Sequence, residues 1–477
     1  MPPLDYDLII LGGSLAAREA AIAARGFQAR VALVEPAETE GVLQREWRHQ
    51  ALCQMGRRVE WRSPWGEVKP LAEPPAWAAV CRWADTLATD LAITRSPAEV
   101  AAAGVDVILA QGEFFRRPHL GVRAGERTLR SRAYLLAPPS IVPMPTPFAS
   151  SLSGKLAPVA QSLSDLWPPS GAELPSRIAV WGQGSAALEL AQTLHQLGST
   201  VTLLWEAEVQ PLDADLSRLL FAALEAEGID IYPAGALVSV SQSAGEIRLQ
   251  FEQASVSVEA LLNAADPVPN WDGLNLEAAN IRLETDGLRV YPTLQAFNAR
   301  IFACPNPRHA RQQAQLALRN ALFLPNRYLR PELLPMVIAT QPPIASIGLT
   351  EAAARDRHGA DVVVQTLSFK DNLKAQMQGT TPGLCKLVAR RNGRLLGIHL
   401  AGLAAEEVLA TAALALQENR RVRSLARLPC ASVSVSEILR QTAIAWQQQR
   451  LAQQPRLQDW LETWQEIRRS RSRWTKL

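Results

Sequence analysis

The stretch LIILGGSLAA, residues Leu8–Ala17, decides the fold, because it runs from a buried strand through a glycine turn into a helix. Leu8–Leu11 is a continuous apolar run, and the small residues of Ala16–Ala24 are typical of a closely packed helix. Val31–Val34 is a second apolar run that ends at Glu35. Apolar strands on both sides of a helix predict a parallel sheet that is covered on both faces.

A second unit of the same kind lies about one domain further along the chain. Ile178–Trp181 predicts a strand, Gly182-Gln183-Gly184 a turn, and a helix then extends through Leu197 before the strand Val201–Leu204. Two strand–turn–helix–strand units predict an α/β protein with two Rossmann-like dinucleotide-binding domains.

A turn of this kind lets backbone N–H groups approach a pyrophosphate at the helix N-terminus, and an acid at the end of the next strand binds the adenine ribose. The predicted ligands of the first unit are Gly12, Gly13, Ser14, Ala17 and Glu35, with serine in place of the middle glycine. Those of the second are Gly182, Gly184, Ala187, Glu189 and Glu206, and Glu206 favours NAD over NADP because a carboxylate repels a 2′-phosphate. The alternative is two packed units with empty turns, and Trp205 could fill the second adenine pocket itself.

Composition excludes several classes of protein. The 477 residues suggest about three domains, and a net charge of +3 is too small to indicate a nucleic-acid partner. Five widely spaced cysteines predict neither a metal site nor a redox pair. The first strand leaves no room for a targeting signal and no apolar run is long enough to span a membrane, so a cytoplasmic protein is expected.

Two further regions follow the second unit. Strands are predicted at Asp361–Phe369, Cys385–Ala389 and Leu395–Ala401, followed by a helix at Glu406–Gln417, which together indicate an α+β domain. After Pro455, apolar residues recur at helical spacing and an arginine-rich end follows: Leu457, Trp460, Leu461, Trp464 and Ile467, then residues 468–476. This tail could contact an anionic membrane surface or a protein partner, or pack on its own dimer.

Several motifs beyond the two turns follow the order found in one known family: Glu189, Pro211–Leu216, Pro269-Asn270, Ile344–Gly348, Leu396–His399 and Leu425–Glu437. From about Tyr6 to Trp446 the chain resembles the flavoprotein disulfide reductases, the family of mercuric reductase and dihydrolipoamide dehydrogenase. The resemblance implies a homodimer with FAD and NAD as cofactors. It implies an FAD domain (residues 1–150 and 271–335), an NAD domain (151–270), a dimerisation domain (336–450) and a separate tail (451–477).

The redox apparatus of that family does not carry over. The segment that matches its cysteine pair, residues 41–50, contains no cysteine, and Cys53 lies too far along. Ser432 stands where the family has its acid–base histidine, although the partner acid Glu437 remains. Near the flavin, Asn306 follows Pro305 in place of a Gly-Asp pair and could still bind the ribityl chain, whereas Pro138-Pro139 removes backbone donors.

The sequence thus predicts an FAD-dependent oxidoreductase that is not a disulfide, mercuric or lipoamide reductase. It would pass electrons between its flavin and a non-thiol acceptor, a quinone or another small molecule, with NADH as a candidate donor. The candidate catalytic residues are His49, Glu189 and Glu437. The alternative function is a catalytically silent scaffold or binding protein.

Overall fold

The computed structural model describes residues 4–59, 76–143, 159–167, 173–206, 212–243, 245–284 and 287–474. Its α-helices are α1 Leu15–Gly26, α2 Thr39–Val59, α3 Trp77–Thr94, α4 Pro97–Ala102, α5 Ser185–Gln196, α6 Ala214–Glu227, α7 Ala310–Leu322, α8 Glu351–His358, α9 Leu373–Met377, α10 Ala405–Gln417, α11 Val422–Ala426, α12 Glu437–Ala452 and α13 Pro455–Trp474.

The β-strands are β1 Tyr6–Leu11, β2 Val31–Glu35, β3 Asp106–Leu109, β4 Gly112–Phe115, β5 Gly121–Ala124, β6 Arg127–Leu129, β7 Ser131–Leu136, β8 Ser140–Ile141, β9 Ala160–Gln161, β10 Arg177–Gly182, β11 Thr200–Trp205, β12 Asp230–Pro233, β13 Leu237–Ser243, β14 Glu246–Phe251, β15 Ser255–Val258, β16 Ala260–Asn263, β17 Val268–Pro269, β18 Leu283–Glu284, β19 Gly287–Leu288, β20 Ile301–Ala303, β21 Met336–Ile338, β22 Ile344–Gly348, β23 Val362–Ser368, β24 Leu384–Arg390 and β25 Leu395–Ala401.

The chain divides into two compact units. The first comprises the described residues of Met1–Glu60, Leu71–Val209 and Gly228–Pro331, and the second those of Gln210–Glu227 and Glu332–Leu477. Helix α6 therefore groups with the second unit, although it lies within the predicted NAD domain. The four predicted domain boundaries stay a prediction, and the one near residue 150 lies outside the described residues.

The first unit contains two parallel sheets, each built on one of the glycine turns. One has the strand order β20-β7-β1-β2-β3 and the other β12-β11-β10-β16-β9. In the first sheet, Leu8 and Ile10 face helices α1 and α7, while Ile9 and Leu11 face the small antiparallel sheet β4-β5-β6. Both faces are covered, which explains why strand β1 is apolar without alternation. The alternating strand–helix pattern predicted from the sequence is confirmed.

The second unit is built on an antiparallel sheet with the order β21-β22-β25-β24-β23. Strands β23, β24 and β25 and helix α10 lie where the sequence predicts them, within one or two residues. Across three neighbouring strands, Ser346, His399 and Lys386 occupy paired positions. The buried ammonium group of Lys386 forms ion pairs with Asp213, Asp215 and Glu351, and these tie helices α6 and α8 to the sheet.

The tail is helical, as predicted, over Pro455–Trp474. Trp460 and Trp464 stack with ring centroids 6.0 Å apart, and both side chains are exposed, as is Ile467. The side chain of Leu457 and the end of the chain after Trp474 lie outside the described residues. Among the residues described, no helix combines the length and apolar character that crossing a bilayer requires.

Candidate functional site

The first glycine turn is fixed by contacts within the protein. Gly12 has φ +121°, and a Cβ atom there would come within 3.0 Å of the carbonyl oxygen of Ala137, so only glycine fits. Ser14 is the N-cap of helix α1: its hydroxyl oxygen accepts a hydrogen bond from the N–H of Ala17 (3.2 Å) and donates one to the carbonyl of Ala137 (2.8 Å). The serine that replaces the middle glycine thus has a structural role at the helix N-terminus where the pyrophosphate site is predicted.

Glu35, the acid predicted to bind the adenine ribose, is held by an arginine of helix α1. Arg18 donates from Nε to Oε2 (3.1 Å) and from Nη2 to Oε1 (2.9 Å), and the two side chains are 2% and 1% exposed. Burial raises the pKa of Glu35 and the hydrogen bonds from Arg18 lower it, with a net rise. A ribose would have to share or displace Arg18, which sequence reasoning did not select. In the sequence Arg18 is one of three charged residues in an alanine-rich helix, and no local pattern distinguishes it from Glu19 and Arg25.

The second turn carries a carboxylate of the protein at its helix N-terminus. Gly184 has φ +80°, and a Cβ atom there would come within 3.0 Å of both carboxylate oxygens of Asp266. Asp266 also accepts a hydrogen bond from the backbone N–H of Ala186 in the first turn of helix α5, and it forms an ion pair with Arg308. Asp266 therefore occupies the position in which a helix N-terminus binds an anion.

Glu206, the second predicted ribose acid, is also engaged within the protein. The indole N–H of Trp181 donates a hydrogen bond of 3.0 Å to Oε1 of Glu206, whose side chain is 8% exposed. Burial raises the pKa of Glu206, and this hydrogen bond opposes the rise. Trp181, near the end of strand β10, thus contacts the predicted ribose acid directly. Ala187 is fully buried, as close helix–strand packing requires.

Two candidate catalytic residues, His49 and Glu189, come together with a third side chain. His49 and Cys53 lie one turn apart on helix α2, with Nε2 and Sγ separated by 3.8 Å, and helix α2 packs against helix α5, which carries Glu189. One donor atom from each of the three residues lies within 4.8 Å of the others. Burial lowers the pKa of His49. The family's redox pattern gives Cys53 no role, because that pattern requires a second cysteine, whereas the neighbour of Cys53 here is a histidine.

The other predicted residues have local partners. Asn306 caps the short 3-10 helix Pro307–His309: its side-chain oxygen accepts from the N–H of Arg308 (3.0 Å), and its own N–H donates to Oε1 of Gln313 (3.2 Å). Glu437, in the second unit, begins helix α12 and pairs with Arg440 at 3.1 Å. The roles of both residues toward a cofactor or substrate stay predictions.

Comparison with known proteins places these features in a family. Residues 6–321 match the model of the pyridine nucleotide-disulphide oxidoreductases, and residues 334–443 match the dimerisation domain of the same family. Mercuric reductase from Staphylococcus aureus is 25% identical over 469 residues, covering 93% of this chain and 82% of its own length. Dihydrolipoyl dehydrogenase from Bacillus subtilis is 27% identical over 57% of this chain and 62% of its own length.

Solved structures show the same fold. LpdA from Mycobacterium tuberculosis superposes with a TM-score of 0.78 at 22% identity, and the Cu(II) complex of the HOCl-induced flavoprotein disulfide reductase RclA from Escherichia coli with 0.74 at 21%. Each of the two superpositions covers 92% of this chain and 99% of the solved chain. The predicted fold class and the resemblance are confirmed. FAD and NAD(P) are the family's cofactors, as predicted. The chain belongs to the pyridine nucleotide-disulphide oxidoreductase family.

Proposed function

We propose that this protein is a homodimeric, FAD-dependent oxidoreductase that passes electrons between its flavin and a non-thiol acceptor, such as a quinone or another small molecule. The observation that carries the proposal is the conflict between its scaffold and its redox residues. The chain keeps the family's nucleotide-binding units, whereas residues 41–50, in helix α2, contain no cysteine. Thiol–disulfide exchange needs an attacking thiolate and a second sulfur, so the acceptor in this proposal is not a disulfide.

The first glycine turn fits a flavin dinucleotide at its pyrophosphate end. Gly12 and Gly13 shape the turn, and helix α1 directs its positive end toward the site. At the adenosine end Glu35 still has lone pairs for ribose hydroxyls, but access to them requires a shift of the Arg18 side chain. When bound, FAD supplies two-electron chemistry with a donor and one- or two-electron chemistry with an acceptor.

The second glycine turn, at residues 182–184, fits a nicotinamide dinucleotide less well, since Asp266 would face the pyrophosphate with like charge and Trp181 holds Glu206. In our proposal NADH reaches this site only when the ion pair of Asp266 with Arg308 separates. A second candidate function, a catalytically silent scaffold, is favoured by the same observation. Both strand-end acids and one helix N-terminus are satisfied by side chains of the protein itself.

We further propose that the protein is cytoplasmic and that helix α13 contacts an anionic membrane surface. Trp460, Trp464 and Ile467 supply exposed apolar area on this helix, and Arg468 and Arg469 supply positive charge next to it. A protein partner is the other outcome that a test of the tail would reveal.

The first experiment is a visible absorption spectrum of the purified protein, with release and identification of any chromophore. One flavin per chain that is reduced chemically with dithionite and then reoxidised by a quinone, but not by lipoamide or an aromatic disulfide, supports the oxidoreductase. A reduced flavin that reduces lipoamide or the aromatic disulfide as fast as the family's disulfide reductases do contradicts the oxidoreductase proposal. A protein that stays colourless after incubation with FAD supports the scaffold. Anaerobic mixing with NADH then tests the donor: flavin that stays oxidised removes NADH from the proposal.

A further inference from the structure

We propose that His49, Cys53 and Glu189 form a binding site for one zinc ion in the first unit. The inference goes beyond the proposed function, because zinc binding by these side chains can be measured without a flavin.

The backbone places the three side chains together. Residues four apart on a helix lie on one face, so His49 and Cys53 project from the same side of helix α2. Helix α5, which packs against helix α2, brings Glu189 to that face. Cys53 is 3% exposed and the other two side chains are half-buried, so the cluster lies at the edge of the core with a path to solvent.

The distances suit a small tetrahedral ion. Zinc binds histidine nitrogen and cysteine sulfur at about 2.0 and 2.3 Å, which places the two donor atoms roughly 3.6 Å apart at a tetrahedral angle. The observed separation of His49 Nε2 and Cys53 Sγ is 3.8 Å. All three donor atoms lie within 4.8 Å of one another, so small rotamer adjustments close the site.

The donor set selects zinc by its chemistry. One nitrogen, one sulfur and one carboxylate oxygen suit a borderline cation, whereas Mg²⁺ and Ca²⁺ require oxygen ligands. Metal binding needs a neutral imidazole and a deprotonated thiol, so zinc affinity should fall as the pH is lowered. A thiolate and a carboxylate together balance the double charge of the ion. Three protein ligands leave a fourth position for water or a substrate atom, the pattern of catalytic rather than structural zinc sites.

The test uses the full chain after dialysis against a chelator. Zinc alone is titrated and the bound metal counted, and Co²⁺ then serves as a spectroscopic probe, because a cysteine ligand produces a thiolate-to-cobalt charge-transfer band. We expect one zinc per chain, no competition from Mg²⁺, and a weakening of about 100-fold or more in Cys53→Ala, His49→Gln and Glu189→Gln. The matched control is Cys81→Ala, which removes another buried cysteine of the same unit and should leave affinity unchanged.

A second variant keeps the proposal testable if a ligand substitution prevents folding. A chain in which Cys81, Cys304, Cys385 and Cys430 are alanine retains only Cys53 and should still give the cobalt band. Absence of zinc binding in the wild-type chain overturns the proposal. So does undiminished affinity in folded Cys53→Ala, or loss of the band in the single-cysteine chain when circular dichroism shows it folded.

Discussion

The carboxylate of Asp266 lies against Gly184, so close that a Cβ atom on the glycine would overlap it. The same carboxylate accepts a hydrogen bond from the N–H of Ala186 and pairs with Arg308. A dinucleotide pyrophosphate that used the positive end of helix α5 would compete with Asp266 for this position.

Replacing Asp266 with asparagine should increase the affinity of the protein for NADH. The substitution keeps the size of the side chain and removes the negative charge that faces the pyrophosphate, and we expect a gain of about tenfold, or about 1.4 kcal/mol. The measurement is a titration followed by NADH fluorescence. Asp272→Asn, an exposed aspartate in the loop that follows, is the control and should not change affinity. Equal affinities in wild type and Asp266→Asn would show that Asp266 does not compete with the nucleotide.

Replacing Arg18 with methionine should destabilise the first unit by about 3–5 kcal/mol, because it leaves the carboxylate of Glu35 buried without its cation. Chemical denaturation monitored by circular dichroism gives the change. The double variant Arg18→Met/Glu35→Met should regain most of the loss, since it removes both charges. Arg30→Met, in an exposed pair with Asp7, is the control with an expected loss below about 1 kcal/mol. A double variant as unstable as Arg18→Met would contradict the explanation.

Replacing Lys386 with methionine should cost about 3–5 kcal/mol near neutral pH, because three carboxylates then face one another without a cation. Burial acts to raise the pKa of Asp213, but the hydrogen bond from Lys386 and further local interactions prevail and lower it. A separate hydrogen bond from Lys386 lowers the pKa of Glu351. In the wild type, the stabilisation from these ion pairs is fully present at pH values above the ordinary carboxyl pKa values of 3.8 and 4.5. It is lost as the pH falls through the lowered pKa values of the folded protein.

The penalty of Lys386→Met should therefore shrink as the pH is lowered below about 4.5, where protonation removes the repulsion. Unfolding midpoints of both proteins measured between neutral and acid pH check this. Lys370→Met replaces an exposed lysine of the same unit and should leave the midpoint unchanged at every pH. A penalty that stays constant down to acid pH would mean that lost packing, not charge, explains it.

Deleting residues 455–477 should abolish co-sedimentation with anionic phospholipid vesicles and leave any flavin spectrum unchanged. The truncation removes the exposed stack of Trp460 and Trp464 together with the adjacent arginines. Trp460→Ala/Trp464→Ala should weaken binding with the charges intact. Neutral vesicles are the matched control, on which little binding is expected. If the full chain does not sediment with either vesicle, the membrane proposal is wrong, and loss of the dimer on truncation would assign the helix to self-association.

The sequence predicted the backbone of this protein better than its side-chain contacts. Apolar runs and glycine turns placed strands β1 and β10, because burial and backbone conformation depend on local residue type. The engagement of Glu35 depends instead on one side chain of helix α1, and Asp266 is 82 positions from Gly184 in the chain. Such contacts follow from the tertiary fold, which a local pattern does not encode.

The cluster of His49, Cys53 and Glu189 could not be predicted from the sequence for a different reason. His49 and Glu189 are both candidate catalytic residues, but no sequence pattern links them, because they lie on different helices. The four-residue spacing of His49 and Cys53 was visible in the sequence, but a search for a second cysteine gives it no weight.

The contact of Gly184 with Asp266 also changes what a glycine fingerprint means in this chain. Such a motif is ordinarily taken as evidence of a nucleotide-binding site, since the missing side chain makes room for a phosphate. Here the room at Gly184 is filled by the protein's own carboxylate, and that at Gly12 by its own carbonyl group. A larger residue at either position would be rejected whether or not a nucleotide ever binds. The protein's own packing therefore requires the glycines of this motif, and their presence in the sequence does not depend on a bound nucleotide.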